Sequence, residues 1–132
     1  MSASLTAVVV VTHGRAGADM IDAAQSFLHM DLPLVTAVGV EPSDGPNAVD
    51  EKINQAVASM GITSWQDVLF LVDLVGSTPA RICCRKCNES GHVVTGVNMP
   101  MLVKLGTLDR TRSATSLVND LVTTATRSIH IE

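Results

Sequence analysis

The stretch "VVVVTHGRAG", Val8 to Gly17, decides how the rest of the chain is read. Four consecutive valines describe a strand buried on both faces, because a strand with one wet face would alternate apolar and polar residues. The run ends abruptly in Thr12, His13 and Gly14, so an imidazole stands where a core strand reaches the surface. A strand of this kind belongs in a parallel sheet, and parallel neighbours need a crossover element between them. The next residues supply one. From Gly17 onward, Met20, Ile21, Ala24, Phe27 and Leu28 recur at helical spacing, and the helix must stop before Pro33.

The same alternation continues along the chain. Leu34 to Val40 reads as a second strand, closed by "EPSDGPN", a loop dense in turn formers. Ala48, Ile53, Val57 and Met60 continue at helical spacing, with Gly61 as the stop. "DVLFLVD" is a third doubly buried strand. "STPARICCRKCNESG" then opens a helix with Ser77 or Thr78 as cap and Pro79 in its first turn, and Gly91 marks its expected end. "HVVTGVN" is a fourth strand, and Pro100 to Leu105 a short helical turn. Ser116 to Thr126 forms a helix with Leu117, Val118, Leu121 and Val122 on one face. The tail "SIHIE" alternates Ile129, His130 and Ile131, a period-two strand signal. The expected fold is α/β, a doubly wound and mainly parallel sheet with helices on both faces. Residues 1–132 form a single domain, with no repeat, linker or low-complexity segment.

Composition excludes several functions. Apolar residues make up 46% of the 132, enough for a folded core, while aromatics are only 2%, too few for base- or sugar-stacking platforms. A net charge of −4 leaves no basic footprint for nucleic acid or an anionic membrane. No apolar run approaches a membrane span, and the start lacks the basic region of a signal peptide. The three cysteines, Cys83, Cys84 and Cys87, are bunched rather than spread as a disulfide framework. A reducing cytoplasm is the expected location.

In a doubly wound sheet, ligands bind outside the carboxyl ends of the strands, at the point where strand order reverses. With the order 2-1-3-4 that point lies between the first and third strands, where His13 and Asp73 end their runs. Neighbouring strands lie about 4.8 Å apart, close enough for an imidazole to meet a carboxylate. "GSTP", Gly76 to Pro79, joins the third strand to its helix and aims free amides at the same crevice, as an anion site requires. Together these parts describe phosphoryl transfer through a histidine. The carboxylate selects one tautomer and stabilises the cation that forms, while amide donors hold the phosphoryl oxygens. "HGRAG" lacks the Gly-Lys-Ser/Thr ending of a Walker loop, so the phosphoryl donor is expected to be another protein rather than ATP. No cofactor or metal is called for.

"VVTHG", "LFLVDLVGSTP" and "VVTGVNMPML", in this order and spacing, resemble the enzyme IIA domain of the mannose family of the bacterial sugar phosphotransferase system, over about Ala7 to Leu105. The resemblance implies a 2-1-3-4 sheet and a homodimer that exchanges an antiparallel C-terminal strand. By position it makes His13 the acceptor of phosphate from the histidine-containing carrier protein, for transfer to a IIB-type partner, and Asp73 its hydrogen-bonding partner. It assigns Thr12, Gly76, Ser77 and Thr78 to the phosphate. Arg15, Arg81, Asn98 and Met99 are candidates for partner contact. The family usually reads Gly-Gly-Ser-Pro followed two residues on by asparagine, where this chain has Ser77 and Arg81, and Arg15 stands where a neutral residue is common. With no IIB domain or linker attached, three alternatives accompany a sugar-transport role. One is a regulatory phosphocarrier that signals by its phosphorylation state. Another is a phosphotransfer subunit of a dihydroxyacetone kinase. The third, from a different class, is a metal or redox protein built on Cys83, Cys84 and Cys87, of which Cys83 and Cys87 share a helical face. His29 and His92 border expected elements and read as solvated.

Overall fold

The computed structural model describes residues 4–88 and 91–132. Four strands, β1 (Ala7–His13), β2 (Val35–Val40), β3 (Val68–Val72) and β4 (Val93–Thr95), pair in the order β2-β1-β3-β4, and every pairing is parallel. Among the described residues five α-helices and a 3-10 turn at Trp65–Asp67 accompany them: α1 (Ala16–Leu28), α2 (Pro46–Ser59), α3 (Thr78–Lys86), α4 (Met99–Leu105) and α5 (Ala114–Arg127). The unbroken valines of β1 are explained by its central place, because both faces of the sheet are covered. Val8 and Val10, with Leu69 and Leu71 of β3, pack under α1, α4 and α5. Val9 and Val11, with Phe70 and Val72, pack under α2 and α3. Each fully buried side chain of this kind stabilises the fold by roughly 1.5–3 kcal/mol, so the two faces together carry most of the folding energy.

Several boundaries differ from the sequence reading, each for a local reason. Leu34 does not join β2; it sits in the left-handed region (φ 54°), and its carbonyl accepts hydrogen bonds from the Val8 amide and the Arg110 guanidinium. α2 begins inside the expected loop, with Pro46 in its first turn, and buries Val49 rather than Ala48. α3 stops at Lys86 and not at Gly91, because Cys87 turns to an extended backbone and sends its side chain into the core. Phe27 lies on the exposed side of α1 at 69% exposure, and Val122 is also exposed on α5. The tail, residues 129–132, forms no strand in the single chain, and Ile129 and Ile131 stand in solvent.

Two buried basic residues escaped the sequence reading. His92 is not solvated: it is 4% exposed, and its Nδ1 lies 3.0 Å from the Val68 carbonyl. His29, by contrast, is exposed at the left-handed C-cap of α1. Arg110 is buried, and among the described residues it has no carboxylate partner. Its guanidinium donates to the carbonyls of Thr6, Pro33 and Leu34, tying the amino ends of β1 and β2 together, and burial lowers its pKa. Among the described residues, no helix is long and apolar enough to cross a membrane.

Candidate phosphoryl-acceptor site

The carboxyl ends of β1 and β3 deliver His13 and Asp73 to one crevice. Asp73 directly follows β3, and its amide donates to the Val11 carbonyl at 3.2 Å, which continues the parallel ladder one step past the strand. That register sets the carboxylate beside His13. Oδ2 of Asp73 accepts the His13 backbone amide at 2.9 Å and lies 2.9 Å from His13 Nδ1. Oδ1 accepts the Leu74 amide at 2.9 Å. Partial burial works to raise the Asp73 pKa, but the hydrogen bonds from the His13 amide and ring, with that of Leu74, outweigh it and hold the carboxyl below its ordinary range.

An ionised carboxylate can only accept hydrogen bonds, so the hydrogen of the neutral imidazole belongs on Nδ1. Nε2 then carries the lone pair. The His13 side chain is 51% exposed, against 23% for Asp73, so the ring presents a free nitrogen at the surface while the carboxylate behind it is sheltered. The backbone around the ring is held by close packing. Gly14 adopts φ +61° and donates its amide to the Val40 carbonyl at 2.9 Å. A Cβ on Gly39 would lie 2.6 Å from the Gly14 carbonyl oxygen, so β2 approaches this turn as closely as a glycine permits.

The turn from β3 to α3 completes the crevice. Gly76 takes the left-handed conformation (φ +73°), whereas Ser77 has ordinary extended angles, so a serine at this position imposes no backbone strain. Ser77 is the N-cap of α3. Its Oγ accepts the Ala80 amide and donates to the Leu74 carbonyl at 2.8 Å. Arg81 donates its amide to the Ser77 carbonyl, and Pro79 has none, which leaves the Thr78 amide without an intrahelical partner. The positive end of α3, with one amide unclaimed by the helix, therefore begins five residues after Asp73, tied back to that turn through Ser77 and Leu74.

Not every candidate residue faces the crevice. The Thr12 side chain is 1% exposed, and its Oγ1 accepts the Gly17 amide at 2.7 Å. It lies on the strand face opposite His13 and anchors the first turn of α1. Asn98 caps α4, its Oδ1 accepting the Met101 amide at 3.1 Å and its Nδ2 donating to the Gly96 carbonyl at 3.3 Å. Met99 packs against the core. Both are thus employed by the fold, although their turn adjoins the site through a hydrogen bond from the Gly96 amide to the Asp73 carbonyl. Arg15 and Arg81 remain exposed. Leu74 and Val75, which sequence reading passed over, are exposed beside Asp73; two aliphatic residues among the turn formers of "DLVGSTP" were the available signal.

The cysteines lie elsewhere, on α3 and just beyond it. Cys83 and Cys87 are buried and Cys84 is exposed. Burial pushes the Cys83 thiol up to about 12 and the Cys87 thiol up to about 11, which disfavours the thiolate that metal binding or nucleophilic attack requires.

The geometry can be set against known proteins. The solved mannose/sorbose-specific IIA subunit of the phosphotransferase system from Enterococcus faecalis superposes with a TM-score of 0.82 at 18% identity, over 98% of this chain and 96% of that one. The phosphotransferase system component EIIA from Streptococcus agalactiae gives 0.79 at 20% identity, over 95% of both chains. The IIA protein associated with the fucose utilization operon of Streptococcus pneumoniae gives 0.78 at 21% identity, over 99% and 96%. These likenesses establish a common fold. Among curated protein sequences none matches significantly. The EIIA-man family, described as the PTS system fructose IIA component, matches residues 7–122, and the chain therefore belongs to this family of phosphotransferase-system phosphocarriers.

Proposed function

We propose that the protein carries a phosphoryl group on His13 Nε2, taking it from the histidine-containing carrier protein and passing it to a IIB-type partner. The observation that carries this reading is the 2.9 Å contact of His13 Nδ1 with a carboxylate that its neighbours keep ionised. In the transfer, the Nε2 lone pair attacks phosphorus, an N–P bond forms, and the N–P bond to the donor histidine breaks. That donor leaves with the electron pair. The positive charge growing on the His13 ring is stabilised by Asp73 through the Nδ1 hydrogen, while the Thr78 amide, the left-handed Gly76 backbone and the α3 dipole face the phosphoryl oxygens. Thr12 acts from behind, by fixing the start of α1. The return step to the acceptor protein uses the same groups in reverse.

The reading extends to assembly and location. A terminal segment with alternating isoleucines can pair with a sheet edge of a second copy, giving a homodimer with exchanged C-terminal strands in the cytoplasm. The test of the function is chemical. Incubation with phosphoenolpyruvate, enzyme I and the carrier protein is expected to yield an adduct that is labile in acid and survives base. Absence of any such adduct contradicts the proposal.

A further inference from the structure

At the amino ends of the strands, the opposite pole from His13, the fold leaves a cavity of about 560 Å³ that phosphoryl transfer does not use. Its walls are the residues leading into β1, β3 and β4 and the first turn of α5, among them Thr6, Gln66, Asp67, His92, Ser113 and Thr115. Such a volume suits a small metabolite. The walls are held in place before any ligand arrives. The Thr6 hydroxyl donates to the Arg112 carbonyl at 2.7 Å, and the Thr6 amide to the Arg110 carbonyl at 2.7 Å, which fixes the approach to α5 against the start of β1. Gly91 brings the residues before β4 against the same helix, since a Cβ there would lie 3.3 Å from Thr115 Cγ2.

His92, 4% exposed, forms one wall. A carbonyl only accepts, so the 3.0 Å contact with Val68 requires the hydrogen on Nδ1, and Nε2 of the neutral ring holds a lone pair. Among the described residues nothing donates to that Nε2. The ring nevertheless borders this cavity and a second one of about 370 Å³ beside Trp65. A buried acceptor without a donor is costly, and a ligand hydroxyl entering the cavity would supply one.

The amino end of α5, a 14-residue helix, forms another wall. Ser113 caps it, its Oγ accepting the Ser116 amide at 3.3 Å and its carbonyl the Leu117 amide at 3.1 Å. The Ala114 and Thr115 amides come before the first full turn and have no helical acceptor. The Ser113 and Thr115 hydroxyls, 3.4 Å apart, are two further donors. Four donors and the helix dipole thus favour an anion at this end. Arg112 adds positive charge to the lining, its guanidinium held by Ser116 and Asp120. Asp67, exposed, is the carboxylate among the described lining residues.

We propose that this cavity binds a small polyol phosphate, with its phosphate on the Ala114 and Thr115 amides and the Ser113 and Thr115 hydroxyls, and a ligand hydroxyl donating to His92 Nε2. Four donors suit the three outer oxygens of a phosphate monoester better than the two of a carboxylate. The site is separate from His13, which lies roughly 20 Å away at the far end of β1.

The test is an NMR titration of the full chain with glycerol 3-phosphate and glucose 6-phosphate, set beside inorganic phosphate and glycerol. At least one ester is expected to shift the amides of residues 113–116 and the His92 ring saturably, binding at least about tenfold more tightly than inorganic phosphate. Glycerol is expected to leave them unmoved. Thr115→Asp suits the helix dipole and should fold at least as firmly, yet its carboxylate repels a phosphate and should abolish binding. His92→Asn keeps a donor for the Val68 carbonyl but lacks Nε2. It should weaken ester binding at least about fivefold and leave inorganic phosphate unaffected. The proposal is overturned if neither ester binds at residues 113–116, if inorganic phosphate binds as tightly as the esters, or if binding is indifferent to both substitutions. None of these readouts passes through His13, so they stand apart from the phosphocarrier reading.

Discussion

His13 takes its orientation from a carboxylate that receives three donors: its own amide, its own ring and the amide of Leu74. An amide in place of that carboxylate keeps the shape but offers a donor and one fewer acceptor, so the imidazole loses its fixed tautomer. Asp73→Asn is therefore expected to fold and to slow transfer by at least about tenfold, or roughly 1.4 kcal/mol on the barrier, measured as single-turnover transfer from the phosphorylated carrier. An unchanged rate in a folded variant would make the carboxylate structural. The same residue gives a pH signature with a definite sign. The folded-state pKa of Asp73 is depressed below 3.8, so its interactions stabilise the fold fully above about pH 4 and are lost as pH falls through the lowered value. The denaturation midpoints of the unaltered chain and Asp73→Asn should differ at neutral pH and converge in acid. A gap that persists to the lowest accessible pH contradicts this account.

Each element end that shapes the crevice has a residue on which it depends. Gly39→Ala places a methyl 2.6 Å from the Gly14 carbonyl oxygen, and since that contact is backbone, the turn carrying His13 must move. A displacement near 1 Å is enough to cost transfer about a hundredfold, so this variant should fold yet transfer poorly from the carrier. Ser77→Ala removes the cap of α3 and should lower stability by about 1 kcal/mol in chemical denaturation. These element ends were unevenly legible in sequence. The doubly buried strands were plain because a parallel sheet leaves no wet face, and Ser77 and Pro79 marked the start of α3. Its end was hidden, since Gly91 looks like a stop while the actual cause, Cys87 turning into the core, is a tertiary contact. Leu34 and Phe27 misled for a similar reason. Both are apolar at positions of correct period, but Arg110, distant in sequence, claims the carbonyl of one, and the other faces solvent.

For the whole molecule, a sheet covered on both faces carries two crossovers that diverge at β1 and β3, and the site follows from that topology. His13 and Asp73 could be placed together from sequence because the strand order brings their ends side by side. The roles of Thr12, Asn98 and His92 could not, because side-chain direction depends on packing across the sheet and at helix starts. The tail is the remaining whole-molecule question. Deleting Ser128 to Glu132 should weaken or abolish dimerisation in sedimentation at micromolar protein, and a truncated chain that stays dimeric would show that the tail is not the clasp. The central claim, that His13 carries the phosphoryl group, is tested most directly by loading the protein through phosphoenolpyruvate, enzyme I and the carrier protein and then mapping the acid-labile phosphate. The account predicts label on His13 alone among the four histidines, and none in His13→Ala. Label that persists in His13→Ala, or that maps to His29, His92 or His130, would contradict it.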